Sequence, residues 1–226
     1  MSAEQLTPGR ARIGGVSAMV RVHAALRLAL AALIAVTVVV QLVEALGRED
    51  NPATLGNFFS YFTIQSNIVI AVVAAIAGLI QLRGPDPQWL DRARGAATVY
   101  ISITGVVYAL LLSNIDVNTP VSWVNVVLHY FVPIAAVVDW LVDLPERVIG
   151  FRAALSWLGY PVLYLVYTLI RGSIVDWYPY PFLNPHPHGY GYVAIMSVFV
   201  AIMAALFTAV VSGATRLPGR MVRRPD

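Results

Sequence analysis

A histidine inside an apolar run is the first feature of this 226-residue chain with chemistry in it. In Trp123-Val-Asn125-Val-Val-Leu-His129-Tyr-Phe-Val-Pro133 the imidazole of His129 is surrounded by hydrocarbon, whereas His23 falls at a segment edge and His186 and His188 in a loop. A polar group in such surroundings must be hydrogen-bonded, because leaving it unpaired costs roughly 2–7 kcal/mol. An ionisable group inside a membrane span is by default a functional candidate, and an interhelical hydrogen bond accounts for it equally well. A second apolar run opens with NFFSYFTIQSN and carries a hydroxyl, Thr63. A threonine hydroxyl becomes a nucleophile when a base takes its proton, and a neutral imidazole within reach can do that. Alone, it also reads as an ordinary helix threonine bonded to the carbonyl four residues back. Asn125 shares a helix face with His129, four residues earlier, and either orients the ring or bonds a neighbouring helix.

The elements that carry these groups follow from composition. Hydrophobic residues make up 58% of the chain and charged ones 12%, against about 25% charged in soluble domains, so the chain reads as an all-α, polytopic membrane protein. With no cysteine, disulfides, thiolate nucleophiles and thiolate metal sites drop out. Six apolar segments are expected, at about residues 22–46, 57–82, 96–113, 121–142, 153–170 and 192–211, each close to the roughly 20 residues that cross a bilayer. They form one six-helix bundle over residues 21–213, between a polar tail at 1–20 and a basic tail at 214–226. The first segment is too long for a signal-peptide core and lacks a small-x-small cleavage site, so it is read as a retained helix.

Six crossings put both termini on one side, and the arginines choose which. All fifteen basic residues are Arg. Arg10, Arg12, Arg21, Arg27, Arg83, Arg92, Arg94, Arg147, Arg152, Arg216, Arg220, Arg223 and Arg224 fall on the terminal side, and only Arg48 and Arg171 on the other. The excess of Arg on one side places both termini in the cytoplasm. Net charge +3 is thereby explained by topology rather than by nucleic acid. An Arg-only basic set with abundant Ala and Val suggests a GC-rich bacterial genome, hence a multi-pass protein of the inner (plasma) membrane.

This topology sets Thr63 roughly 9 Å and His129 roughly 12 Å below the outer surface, at 1.5 Å per residue. Glu44 and Gln41 on the first span, Tyr108 on the third, and Tyr164, Tyr167 and Arg171 on the fifth reach the same half of the bilayer. Asn67 follows Thr63 by one turn. The inner half holds fewer polar groups, chiefly Thr98, Tyr100, Ser102 and Asp139. Clustering, rather than even spread, is what suggests a site. Glu44 and Arg171 either pair or snorkel to the interface. Trp177-Tyr178-Pro179-Tyr180 reads as an interfacial belt, or alternatively as a cap on a cavity. Pro133 and Pro161 are expected to kink their spans and open room between helices.

YFTIQSN on the second span, WVNVVLH on the fourth, GYPVLYLVY on the fifth and YPFLN in the last loop, in this order and spacing, resemble the androgen-induced-gene-like family of six-helix membrane hydrolases, which includes the androgen-dependent regulator of tissue factor pathway inhibitor, and in particular its bacterial branch. The resemblance covers about residues 57–190. It implies a threonine hydrolase that cleaves lipid esters such as fatty acid esters of hydroxy fatty acids. The family's essential Thr falls on Thr63 as nucleophile, and its essential His on His129 as base. Val126 stands where the vertebrate pattern carries a second His, and Ile64 to Asn67 also depart from it. Tyr164, Tyr167, Asn67 and Asn125 are candidate oxyanion donors, and Tyr108, Glu44 and Arg171 complete the residues expected to bind or orient substrate. The expected partner is a membrane lipid or lipid-like ester. No cofactor and no metal site are expected, the His186-Pro-His188 pair being read as loop rigidity. The rival reading is a non-enzymatic bundle: a small transporter, a sensor or a scaffold.

Overall fold

The computed structural model describes residues 17–48, 54–84, 86–115 and 121–217. Its regular structure is helical, and six helices are long and apolar enough to cross a membrane: α1 Ala18–Gly47, α2 Phe62–Gln81, α3 Gln88–Leu112, α4 Ser122–Val142, α5 Phe151–Val175 and α6 Pro185–Ala214. Most of the two expected tails, residues 1–16 and 218–226, lies outside the described residues.

Four of the helices, α1, α3, α5 and α6, start earlier than hydropathy alone suggests, while α2 and α4 start at Phe62 and Ser122, later than the expected 57 and 121. Ser17 caps α1, its hydroxyl accepting from the Val20 amide at 3.3 Å. This places His23 inside the helix, where it is buried, rather than at its edge. Pro87 precedes α3, and the Asp91 and Arg94 that read as loop residues are buried in its first turns. At α6, Asn184 accepts from the His186 amide at 3.0 Å with Pro185 at the first helical position, a start that suits proline's fixed φ and missing donor. A left-handed Gly189, φ 76°, then breaks the helix near its start, a conformation glycine adopts without steric cost.

The bundle is held by two kinds of contact. Apolar residues such as Ile34, Ile101, Leu128 and Val132 fill the interior, while Leu163, Ile174, Ile195, Ile202 and Val210 remain exposed along α5 and α6, as expected of surfaces that meet acyl chains. At the end of the bundle where α1 begins and α6 finishes, a polar network replaces the apolar fill. Arg27 grips Asp139 with two donors, Nε at 2.6 Å and Nη2 at 3.0 Å, and also reaches Asp143 at 3.0 Å. Arg94 donates to the Asp143 carbonyl at 2.8 Å. Arg27 and Arg94 count by sequence toward the charge bias that sets topology, and both are buried. A guanidinium fork matched to a carboxylate is the geometry in which a buried ion pair offsets its desolvation.

One short π-helical turn closes α3 at Tyr108–Leu112, and another interrupts α4 at Val127–Phe131. Pro133 lacks the N–H that would bond the His129 carbonyl, which favours a local rearrangement just before it. Gly105 lets the two helices meet here: a Cβ on it would lie 2.9 Å from Pro133 Cβ and 3.3 Å from the His129 carbonyl.

Candidate functional site

Thr63 occupies the first turn of α2, and its position is fixed from the loop between α5 and α6. The Tyr180 phenol accepts from the Thr63 amide at 3.2 Å and shares a hydrogen bond with the Thr63 hydroxyl at 3.4 Å. A free first-turn amide of a helix needs such a partner. Burial pushes the Tyr180 phenol up from its ordinary value near 10, so it stays protonated and able to donate at neutral pH.

Around this pair lies a cavity of ≈ 140 Å³ between α2, α3, α5, α6 and the 180–183 loop. Apolar side chains form nearly all its wall: Phe62, Ile103, Val107, Leu165, Phe182 and Val200 among others. Its polar points are few, with Thr63, Tyr164 and Tyr180 grouped together. Tyr164 sends its hydroxyl to the Ser60 carbonyl at 3.0 Å. One turn on, the Tyr167 hydroxyl meets Ser60 Oγ at 2.9 Å, and Arg171 donates to Asn57 Oδ1 at 2.7 Å beneath the Trp177 ring. These three residues of α5 therefore clamp the turn that leads into Thr63.

His129, on α4, is buried against α3 and is not among the residues that line this cavity. Its ring stacks on Tyr108, centroids 3.9 Å apart, and Tyr108 accepts from the Asn125 amide at 2.5 Å. His129 Nδ1 lies 3.2 Å from the Asn125 carbonyl. A carbonyl only accepts, so Nδ1 carries the proton and Nε2 presents its lone pair. No described residue is hydrogen-bonded to Nε2. The imidazole is thus set as an acceptor, in the tautomer a general base requires.

Asn67 links the two helices. Its amide nitrogen donates to the Thr63 carbonyl at 2.9 Å and to the Leu128 carbonyl, next to His129, at 3.3 Å. Thr63 and His129 are not hydrogen-bonded to each other: the hydroxyl is turned to Tyr180 and the ring is held by Asn125 and Tyr108. The residues singled out by sequence therefore form two neighbouring groups, Thr63 with Tyr164 and Tyr180, and His129 with Tyr108 and Asn125, with Asn67 between them. Glu44 lies on the exposed face of α1, apart from both, and Arg171 is engaged by Asn57 rather than shown with Glu44. Tyr180 escaped the sequence reading as a site residue because an aromatic between prolines reads first as an interfacial anchor; its presence in YPFLN was the available signal.

No family model, no curated protein and no solved structure matches the chain. Function must therefore be argued from the site.

Proposed function

We propose that this six-span membrane protein is a hydrolase of lipid esters, such as fatty acid esters of hydroxy fatty acids, with Thr63 as nucleophile and His129 as base. One observation carries the reading: the Thr63 hydroxyl stands among the few polar points of a largely apolar cavity within the spans. Apolar cavities of about 150 Å³ stay dry and take benzene-sized hydrocarbon, so this one suits the acyl segment next to an ester. An ester carbonyl seated there would lie beside Thr63 Oγ1, with the protonated Tyr180 phenol available to the oxyanion. The bare Nε2 of His129 would take the Thr63 proton through a bridging water or after a small movement, since hydrogen bonds of catalytic groups are often incomplete before substrate binds. Three of the four resembling segments contribute Thr63, His129 and Tyr180. That agreement supports the same chemistry.

The separate partners of Thr63 and His129 favour a second reading, a bundle that binds an acyl chain without cleaving it. Labelling of the purified protein with a fluorophosphonate separates the two. A hydrolase labels in the wild type and loses the label in Thr63→Ala, and in His129→Ala with folding preserved. Equal labelling of wild type and Thr63→Ala would remove Thr63 as nucleophile, and a panel of lipid esters left intact by the wild type would leave only the binding reading.

A further inference from the structure

Among the described residues, the cavity beside Thr63 opens along a single seam. Every lining residue that comes from α2, α3 or the 180–183 loop is buried. The lining residues with any exposure all stand on α5 or α6: Val162 and Ala201 are exposed, and Pro161, Leu165, Ser197 and Val200 partly so. The start of α5 and the end of α6 share one end of the bundle, where the Ile149 amide donates to Thr215 Oγ1 at 3.1 Å. Counted from there at 1.5 Å per residue, Val162 lies about 17 Å along α5 and Ala201 about 20 Å along α6. Both therefore stand near the middle of a hydrocarbon core roughly 30 Å thick. The seam is fastened on either side of that level. Toward the Ile149 end the first turns of α5 pack on α6, and at the other end His186 Nε2 meets Asp176 Oδ1 at 2.7 Å. In between, α5 turns its hydrogen-bonding face away from α6. Tyr160, Tyr164, Tyr167 and Arg171 share that face and bond Gln65, Ser60 and Asn57, on α2 and the turn before it.

Resting on the cavity as an acyl site, and not on cleavage, we infer that the seam at Val162 and Ala201 is the entry for the acyl chain of a lipid dissolved in the bilayer, and that the bound chain lies astride it. A space of ≈ 140 Å³ holds about as much hydrocarbon as benzene, roughly six carbons. One lipid tail spans half the bilayer core, so most of a long chain has to stay outside. The seam leads that remainder into hydrocarbon, because Leu163, Val198 and Ile202 of the same two helices are exposed and apolar. Tyr180, Phe182 and Leu183 are buried at the loop side of the cavity and offer no such path. The consequence is selection by position along the chain rather than by length. Carbons nearest the polar group are held by protein and the rest by lipid, so chains of different length bind alike.

The experiment uses the full chain in lipid nanodiscs. The probe is a long-chain methyl ketone, whose carbonyl resembles that of an ester but cannot be cleaved, with a diazirine about six carbons from it. After illumination, mass spectrometry should find the probe on Val107 and Phe182, buried walls that lipid around the bundle does not touch. Ala201→Trp and Val162→Trp should each lose that label. Both positions are exposed, so neither ring displaces buried packing. Val43→Trp, on the exposed face of α1, should keep the label. With the diazirine at the end of the chain, labelling should leave the walls and appear at Val162, Ala201 and the exposed residues near them. Dodecyl and octadecyl ketones should label the walls equally. Wall labelling that survives both tryptophans at the seam would mean entry by another route, and loss in Val43→Trp as well would mean an effect of bulk anywhere; either overturns the seam. A chain-end diazirine that still labels Val107, or walls labelled by the short chain alone, would overturn the chain astride it. Unlabelled walls in the wild type would remove the acyl cavity itself. Absence of ester turnover would instead remove the hydrolase and leave this entry standing.

Discussion

The two ends of the bundle join their polar groups in different ways. At one end Arg27, Gln81, His23 and Asp139 close a ring, beside which the buried Nε of Arg94 has no hydrogen-bond partner. Arg27 can only donate, so Gln81 must turn its oxygen to it, at 3.1 Å, and its nitrogen to His23 Nδ1, at 3.0 Å. His23 then carries its proton on Nε2 and gives it to Asp139, 3.1 Å away. Each choice forces the next, and the chain returns to the carboxylate Arg27 already holds. Around Thr63 and His129 the same reasoning runs out into open acceptors, Asn67 Oδ1 and His129 Nε2, and a hydroxyl facing a cavity. A closed network locks helices together; an open one has capacity left for a ligand. What sets the second region apart, more than the presence of polar residues in a membrane, is that one of its hydroxyls, Thr63, lines a cavity.

The contrast breaks if the two ends respond alike to mutation. The largest effect is expected on hydrolysis at the open end. Thr63→Ala or His129→Ala should lower lipid-ester turnover by ~10²–10⁴-fold, the span associated with losing a positioned acid–base partner, with thermal unfolding changed little for Thr63→Ala. Next in size is a loss of stability at the closed end. Asp139→Ala takes the two-donor partner from buried Arg27, which keeps Asp143 and Gln81, and should cost about 3 kcal/mol, the low end for a broken buried pair, read as a fall in Tm. The double change Arg27→Met with Asp139→Leu should cost clearly less than the single one, since no charge is left unpaired. Activity per folded molecule should survive both. Smaller again is Tyr180→Phe, which removes the phenol beside Thr63 and should lower turnover by ~10²-fold if the phenol serves the oxyanion. Because burial raises that phenol's pKa, its proton is held below pH 10 and lost only as pH climbs through the raised value. Wild type and Tyr180→Phe should therefore have the same pH profile from neutrality to about pH 10.

How much of this was legible in the sequence follows from how each part is encoded. The six helices are written in runs of apolar residues, which the bilayer interprets almost regardless of what they pack against. Their true starts depend on capping at Ser17 and Asn184 and on the burial of Asp91 and Arg94, which are tertiary facts. Arg27 looks in sequence like any arginine near a span end, and only its meeting with Asp139, 112 positions away, shows it to be structural. Thr63 and His129 stood out because polar groups are rare in such surroundings. Their partners did not. Tyr180 comes from a loop, and the π-turns at Tyr108 and Val127, which set the stacked Tyr108–His129 pair, have no sequence period of their own. Depth along a helix can be counted from sequence; azimuth around it, which decides whether Thr63 faces His129 or Tyr180, depends on packing.

The smallest expected effect gives the finest test of the comparison, because it asks whether helix spacing matters equally at both ends. Gly105 and Gly78 are both points of close helix approach. A methyl on Gly78 would meet the Ala24 carbonyl at 3.0 Å and Leu28 Cγ at 3.1 Å, between α1 and α2 near the closed network. On Gly105 it would meet Pro133 Cβ and Cγ at 2.9 and 3.0 Å. Leu28 can rotate, but neither the Ala24 carbonyl nor the proline ring can, so each methyl must part its own pair of helices. Both Gly→Ala changes should cost roughly 1–3 kcal/mol by overpacking. Only Gly105→Ala should also disturb the stacking of Tyr108 on His129 and lower turnover per folded molecule; Gly78→Ala should leave it unchanged. Equal loss of activity in the two variants would mean that the bundle responds as one body, and that the open end owes its character to no local geometry.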